Sequence, residues 1–245
     1  MIRQTLDKLY EMKILGMAKA LSGQIEQPAT QDLSFEERLG LLVDHEYTYR
    51  RNRRLARLLK EAKLRLDASP EDIDYHHPRG LDRNLMLTLA NSDWIRSHQN
   101  LIITGPTGTG KTFIACSLGN AACRNNLSVR YFRMPRLLSE LMVARGDGSY
   151  PKLLERLAKA HLVILDDWGL APLNPQEARD ILEVIDDRVG RRSTLVASQI
   201  PPAEWHRTIQ DATVADAILD RLLHMSHRIT LRGESMRATT KNPIS

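Results

Sequence analysis

Gly105-Pro-Thr-Gly-Thr-Gly-Lys-Thr112 matches G-x-x-x-x-G-K-[ST] at every fixed position. The chemistry served by this spacing is phosphate binding. Glycines at 105, 108 and 110 allow the backbone to curl until its N–H groups point inward at a β-phosphate. The loop ends where a helix is expected to begin, and the unpaired N–H groups and dipole there favour an anion. Lys111 is placed to reach the β- and γ-phosphate oxygens, and Thr112 to ligate Mg²⁺. The candidate nucleotide-binding set is Gly105, Pro106, Thr107, Gly108, Thr109, Gly110, Lys111, Thr112 and Phe113.

A complementary half-site lies downstream. The apolar run Leu162-Val-Ile-Leu165 fits a central parallel strand buried on both faces, and it ends in Asp166-Asp167. Asp166 is expected to hold Mg²⁺, directly or through water. Asp167, one residue on, projects toward the γ-phosphate and is a candidate to polarise the attacking water. A third apolar run, Thr194-Leu-Val-Ala197, ends in Ser198-Gln199, polar groups suited to the same end of the nucleotide.

These groups need elements to hold them. Leu101 to Thr104 read as the strand before the glycine loop, and Phe113 to Cys123 as the helix after it. A strand over Val129–Arg133 follows, then helices from Pro135 and over Leu153–Ala160. A helix over Asn174–Gly190 starts at a cap-like Asn-Pro. Thr213–Met225 reads as a helix and Arg228–Arg232 as a last strand. Strands alternate with helices from about residue 81, so 81–245 is expected to be an α/β sandwich around a parallel sheet.

Residues 1–66 read as a small all-helical domain. Leu6, Leu9, Met12, Leu15 and Met17 suggest a first amphipathic helix, with Gly16 as a break, and Ala18–Ile25 a second. Gln27 to Asp32 read as a loop. Ser34 and Glu37 form a capping box, from which one helix is expected to run to about Leu66. Residues 67–80 are rich in turn formers and read as a linker. His76 and His77, inside it, have no third ligand at metal spacing.

The chain has 245 residues, 42% of them hydrophobic, enough for a packed core. No run of about 18 apolar residues occurs, so no transmembrane helix and no membrane partner are expected. Nor is there an apolar signal-peptide region at the N-terminus. Cys116 and Cys123 are the two cysteines. On one helix they lie roughly 10 Å apart along the axis, too far for a disulfide. They read as core residues of a reduced, cytoplasmic protein.

Lys and Arg exceed Asp and Glu by 35 to 30, so the location of the charge matters more than its sum. It concentrates in Tyr49–Leu66. At 100° per residue, Leu55, Leu58, Leu59, Ala62 and Leu66 share one arc. Arg50, Arg53, Arg54, Arg57, Lys60 and Arg65 face the other way, with Glu61 as the one nearby acid. Such a row suits the backbone of duplex DNA and salt-sensitive, largely sequence-independent binding. Aromatic residues are too sparse there for a single-strand binder.

The glycine loop, Leu165-Asp-Asp167, the polar strand end at 198–199 and Asp220-Arg-Leu222 together resemble the AAA+ ATPases of the DnaA/DnaC/IstB branch. The closer likeness is to the IstB family, the helper ATPases of IS21-type insertion sequences. It extends over nearly the whole chain, through Arg79-Gly-Leu-Asp-Arg83, Asp166-Asp-Trp-Gly169, Ser198-Gln-Ile-Pro201 with Trp205-His206, Asp220-Arg-Leu-Leu-His224 and Gly233-Glu-Ser-Met-Arg237. The resemblance implies an ATP-hydrolysing enzyme with Lys111 and Thr112 in the nucleotide site and Asp166 and Asp167 as its acidic motif. Gln199 then stands at the sensor-1 position, where relatives often carry Asn. Arg221 stands at the arginine-finger position, acting on ATP held by a neighbouring subunit. Only eight residues follow Arg237. The expectation is therefore a core without a C-terminal helical lid, in which the neighbouring subunit closes the site.

The family also implies an ATP-dependent oligomer on duplex DNA that remodels the target and recruits an IS21-type transposase (IstA), in a bacterial cytoplasm. No Asp-Asp-Glu nuclease constellation is recognisable, so the chain is expected to cut nothing. The alternative is a DnaC-like loader of a replicative helicase, which shares the core and the Arg221 position. A small-molecule P-loop kinase would leave the basic helix and the Asp-Arg-Leu helix without a purpose.

Overall fold

The computed structural model describes residues 2–26 and 32–236. Arg237 and most of the loop expected at 27–32 lie outside the described residues. The chain forms two compact units, one ending at Arg57 and the other beginning at Leu58. The division falls inside a helix, ahead of the turn-rich stretch that starts at Asp67.

The first unit is helical: α1 (Ile2–Glu11), α2 (Leu15–Glu26) and most of α3 (Phe35–Ala62). The break after α1 is at Lys13, which takes φ +60°, and the Ile14 N–H donates to Leu9 O at 2.9 Å. That is a left-handed helix cap. Gly16, expected to be the break, lies within α2. A Cβ there would stand 2.7 Å from Tyr49 Cβ and 2.9 Å from Glu46 Cα, so its role is close approach of α2 and α3. Glu46 accepts the Met17 N–H at 3.0 Å, satisfying one open donor at the start of α2. The capping box at the start of α3 forms as read. The Ser34 N–H donates to Glu37 Oε2 at 2.8 Å, and the Glu37 N–H to Ser34 Oγ at 3.2 Å.

α3 stops at Ala62, one turn short of the expected Leu66, because Lys63 takes φ +53°. Within the second unit, Leu58 and Ala62 on its last turn are buried. Arg130 on a neighbouring strand donates to both the backbone and the carboxylate of Glu61. Arg65 and Leu66 therefore leave the helical row entirely.

Among its described residues the second unit holds five strands, β1 (Asn100–Thr104), β2 (Val129–Arg133), β3 (Leu162–Trp168), β4 (Ser193–Ser198) and β5 (Ser226–Thr230). They form one parallel sheet in the order β2-β3-β4-β1-β5. The helices between them are α4 (Arg83–Ala90) and α5 (Asp93–Arg96) before β1, then α6 (Lys111–Arg124), α7 (Met134–Asp147), α8 (Tyr150–Lys159), α9 (Pro175–Asp186) and α10 (Ala212–Leu223). Leu162 to Leu165 and Leu195 to Ala197 are fully buried, as a sheet covered on both faces requires. α9 starts at an Asn174–Glu177 capping box. β5 begins two residues earlier than expected, yet the Leu231 N–H still donates to Thr104 O at 2.7 Å, so chain pairing continues past its end. Cys116 and Cys123 are free and buried on α6. No described helix is long and apolar enough to cross a membrane.

Candidate nucleotide site

Parallel strands present their carboxyl ends along one edge of a sheet, where ligands of such folds sit. Here β1 runs into the glycine loop, β3 carries Asp166-Asp167 near its end, and β4 ends at Ser198 with Gln199 next. The register is level: Thr104 pairs with Ser198, Ser198 with Trp168, and Arg133 with Asp166. Local strand endings thereby converge on one cavity of about 560 Å³.

Gly110 forms the N-cap of α6 at φ +91°. A Cβ there would come within 2.4 Å of Arg79 Nη1. Both the left-handed backbone and the approach of that guanidinium demand glycine. Lys111 bends back over the loop and donates to Gly105 O at 2.7 Å and Pro106 O at 2.8 Å. Its charge is thus held at the centre of the loop. Thr109 is buried and bonds inside the loop to Pro106 O. Thr107, Gly108, Gly110, Lys111, Thr112 and Phe113 line the cavity.

Asp166 is 2% exposed and receives three donors. Thr112 Oγ1 and the Tyr131 hydroxyl both reach Oδ2 at 2.7 Å, and the Asp167 N–H reaches Oδ1 at 2.9 Å. Burial, with Asp166 alongside, pushes the Tyr131 phenol up, so it remains a donor. The Thr112 hydroxyl and the Asp166 carboxylate are an adjacent pair of hard oxygen ligands. That donor set fits Mg²⁺, which takes one or two protein oxygens and fills its octahedron with phosphate and water. Gln199 lines the same cavity and accepts from Thr107 Oγ1 at 2.8 Å.

Asp167 sits at φ +61°, a conformation costly for a non-glycine residue and a mark of functional loops. Its Oδ2 accepts from Arg133 Nε at 2.7 Å, with Arg65 Nη1 at 3.9 Å. Both arginines line the cavity. The sequence offers no obvious cation on the same chain for the far end of a nucleotide, and the fold supplies two. Tyr131 and Arg133 were hidden because nothing local says that β2 neighbours β3. Arg65 was hidden in a helical row that ends before it.

Arg79, read as part of the linker, is 1% exposed. It donates to Thr109 O at 3.0 Å, Asp74 O at 2.9 Å and Met236 Sδ at 2.9 Å. Desolvation lowers its pKa from the usual arginine value. It ties the glycine loop to the segment before α4 and to the one after β5. The Met236 N–H also donates to Gly108 O at 3.0 Å.

Two sets of expected residues are not in the cavity. Arg221 is near the end of α10, and its backbone carbonyl accepts from Asn100 Nδ2 at the start of β1. That is the amino edge of the sheet, opposite the glycine loop. Its guanidinium is ion-paired with Asp186 and donates to Ala217 O at 3.0 Å. Arg50, Arg53, Arg54, Arg57 and Lys60 are exposed on α3. Arg50 is engaged there by Glu46 Oε1 at 2.5 Å.

A parallel sheet in this order, with a phosphate loop after β1 and an acid pair near the end of β3, defines a P-loop nucleotide-binding protein of the AAA+ type. Solved structures share this fold. The crystal structure of DnaI superposes with a TM-score of 0.58 over 72% of this chain and 93% of that one, at 19% identity. The DnaC helicase loader gives 0.58 over 69% and 99%, at 17% identity. AMPPCP-bound DnaA from Aquifex aeolicus gives 0.59 over 73% and 54%, at 14% identity. Within that class the chain belongs to the IstB-like ATP binding protein family, whose model matches residues 7–243. It is 53% identical over 233 residues to the insertion sequence ATP-binding protein y4pL of Sinorhizobium fredii, covering 95% of each chain. It is 31% identical over 233 residues to the IS21 ATP-binding protein of Pseudomonas aeruginosa, covering 95% of this chain and 88% of that one.

Proposed function

We propose that this protein is an Mg²⁺-dependent ATPase that assists transposition of an IS21-type element. It assembles on duplex DNA in the presence of ATP, remodels the target and recruits the transposase, in the cytoplasm of a bacterium. The observation that carries this reading is the meeting of Lys111, Thr112, Asp166, Asp167 and Gln199 in one cavity, with Arg221 at the opposite edge of the sheet. Such a site binds and positions ATP in one chain and takes a final cation from another.

The roles follow from placement. The loop N–H groups and Lys111 hold the β- and γ-phosphates. Thr112 and Asp166 would hold Mg²⁺, which would supply positive charge to the phosphates. Asp167 orients a water and accepts its proton as the oxygen attacks the γ-phosphorus. The bond to the β-phosphate oxygen breaks, and ADP and phosphate are released. Gln199 offers its amide to the γ-phosphate or the water. Arg221 stabilises charge on the nucleotide of the adjoining subunit.

The helical N-terminal part (1–66) serves DNA binding and assembly through Arg50, Arg53, Arg54, Arg57 and Lys60. Residues 67–80 connect it to the ATPase part (81–245). Size measurement on a duplex with ATP, with ADP and with no nucleotide tests the assembly. A large protein–DNA complex is expected with ATP alone. A monomer on DNA under all three conditions would refute it.

A further inference from the structure

We propose that Arg133, supported by Arg65, reads the γ-phosphate from within the same chain, and that Asp167 surrenders it when ATP binds. This rests on the ATPase reading and adds residues to that site. Arg133 ends β2 level with Asp166, and the cavity that holds Lys111 and Thr112 also holds both arginines. Arg133 spends its Nε on Asp167 Oδ2 at 2.7 Å. Its two Nη groups make no hydrogen bond to any described residue, and the side chain is 47% exposed. Arg65 stands off at 3.9 Å from the same oxygen. One carboxylate oxygen thus faces two guanidinium groups, and the Nη edge of Arg133 has donors to spare.

A carboxylate carries one negative charge. A terminal phosphate carries close to two and presents three acceptor oxygens in a geometry that a guanidinium fork matches. A half-exposed ion pair contributes little and is cheap to exchange. When ATP fills the cavity, the Nη edge of Arg133 moves onto γ-oxygens, and Arg65 follows the charge. The exchange does two things at once. It neutralises the group under attack, and it returns to Asp167 the lone pairs needed to orient water and take its proton. ADP has no γ-phosphate to compete, so with ADP the Arg133–Asp167 pair persists. No bond is made or broken beyond those of hydrolysis itself.

The test compares binding of ADP and of a non-hydrolysable ATP analogue, by calorimetry with Mg²⁺, for the unaltered protein, Arg133→Ala, Arg133→Lys and Arg65→Ala. A charge-assisted hydrogen bond to the γ-phosphate is worth about tenfold in affinity. Arg133→Ala is expected to lose about that factor for the analogue and less than about twofold for ADP. Arg133→Lys should recover part of the loss, and Arg65→Ala should show a smaller loss of the same selectivity. Thermal melting checks that each variant is folded. If folded Arg133→Ala keeps the unaltered protein's preference for the analogue over ADP, the proposal fails. Faster hydrolysis with that preference intact overturns it too, leaving Arg133 as a mere restraint on Asp167. Lys111→Ala separates the two levels. Binding of both nucleotides by Lys111→Ala would refute the nucleotide site itself, whereas its loss alongside an unaltered Arg133→Ala preference refutes only the role of Arg133.

Discussion

The nucleotide cavity and the basic row on α3 are built on opposite principles. In the cavity each side chain has a particular partner. Asp166 is 2% exposed with three donors, Lys111 is tied to two carbonyls, and Gln199 meets Thr107. In the row, Arg53, Arg54, Arg57 and Lys60 are exposed cations close together along one helix. Burial makes Asp166 and Lys111 irreplaceable, because a buried charge that loses its partner costs far more than the pair was worth. Exposure makes the second set additive and screened by salt. The same contrast runs through the two units. The second has a deep core around β3 and β4. The first buries Leu9 and Ala18 among its described apolar side chains, while Phe35 is 74% and Tyr47 67% exposed. Damage to the cavity should therefore act all or none, and damage to the row in steps.

The largest effect is expected from Lys111→Ala, which should abolish stable ATP binding, since the Lys111 ammonium is the charge that the carbonyls of Gly105 and Pro106 hold over the loop. Equilibrium binding with labelled ATP checks this.

Arg221→Ala comes next. It should bind ATP as a monomer but lose about 10³-fold or more in turnover, along with assembly on DNA. Mixed with Lys111→Ala, it should regain some activity, because each supplies what the other lacks at a shared interface. Normal turnover, or no recovery in demonstrably mixed assemblies, would show that Arg221 does not act in trans.

Asp167→Asn should bind ATP and lose about 10²- to 10⁴-fold in turnover, the usual worth of a general base. Full turnover would pass the role of base to another group.

The row should respond by degrees. Arg53→Glu with Arg57→Glu is expected to lower the dependence of log affinity on log salt by about 1.8 on duplex DNA, at about 0.9 for each phosphate no longer neutralised. Arg50→Ala should change it less, because Glu46 already occupies that guanidinium. Unchanged binding in the double variant would move the DNA site off α3.

The smallest effect concerns acid stability. Burial disfavours the charge on Glu46, but the Arg50 guanidinium and the Met17 N–H outweigh it and lower its pKa from 4.5. A carboxylate with a lowered folded pKa stabilises above its unfolded pKa, and that stability is lost as pH falls through the folded value. Melting temperature should hold above about pH 5 and decline below it, with a weaker decline in Glu46→Gln. An identical decline in both would clear Glu46 of any part.

The amino-acid sequence alone determined the family, the parallel sheet and the strand endings of the nucleotide cavity. Gly105–Thr112, Asp166-Asp167 and Ser198-Gln199 were legible because each is a local pattern, an apolar strand followed at once by the groups it delivers. The Ser34–Glu37 cap was legible for the same reason, since its four residues satisfy one another. Tertiary structure alone decided which strands lie side by side. It brought Tyr131 to Asp166 and Arg133 to Asp167, and it turned Arg79 under the glycine loop from 30 residues away. It also ended α3 at Lys63, taking Arg65 out of a helical row and into the cavity, and it left Arg221 on the far edge of the sheet. Periodicity reports which face of an element is apolar. It carries no record of the neighbour against which that face, or the polar residue at its end, comes to rest.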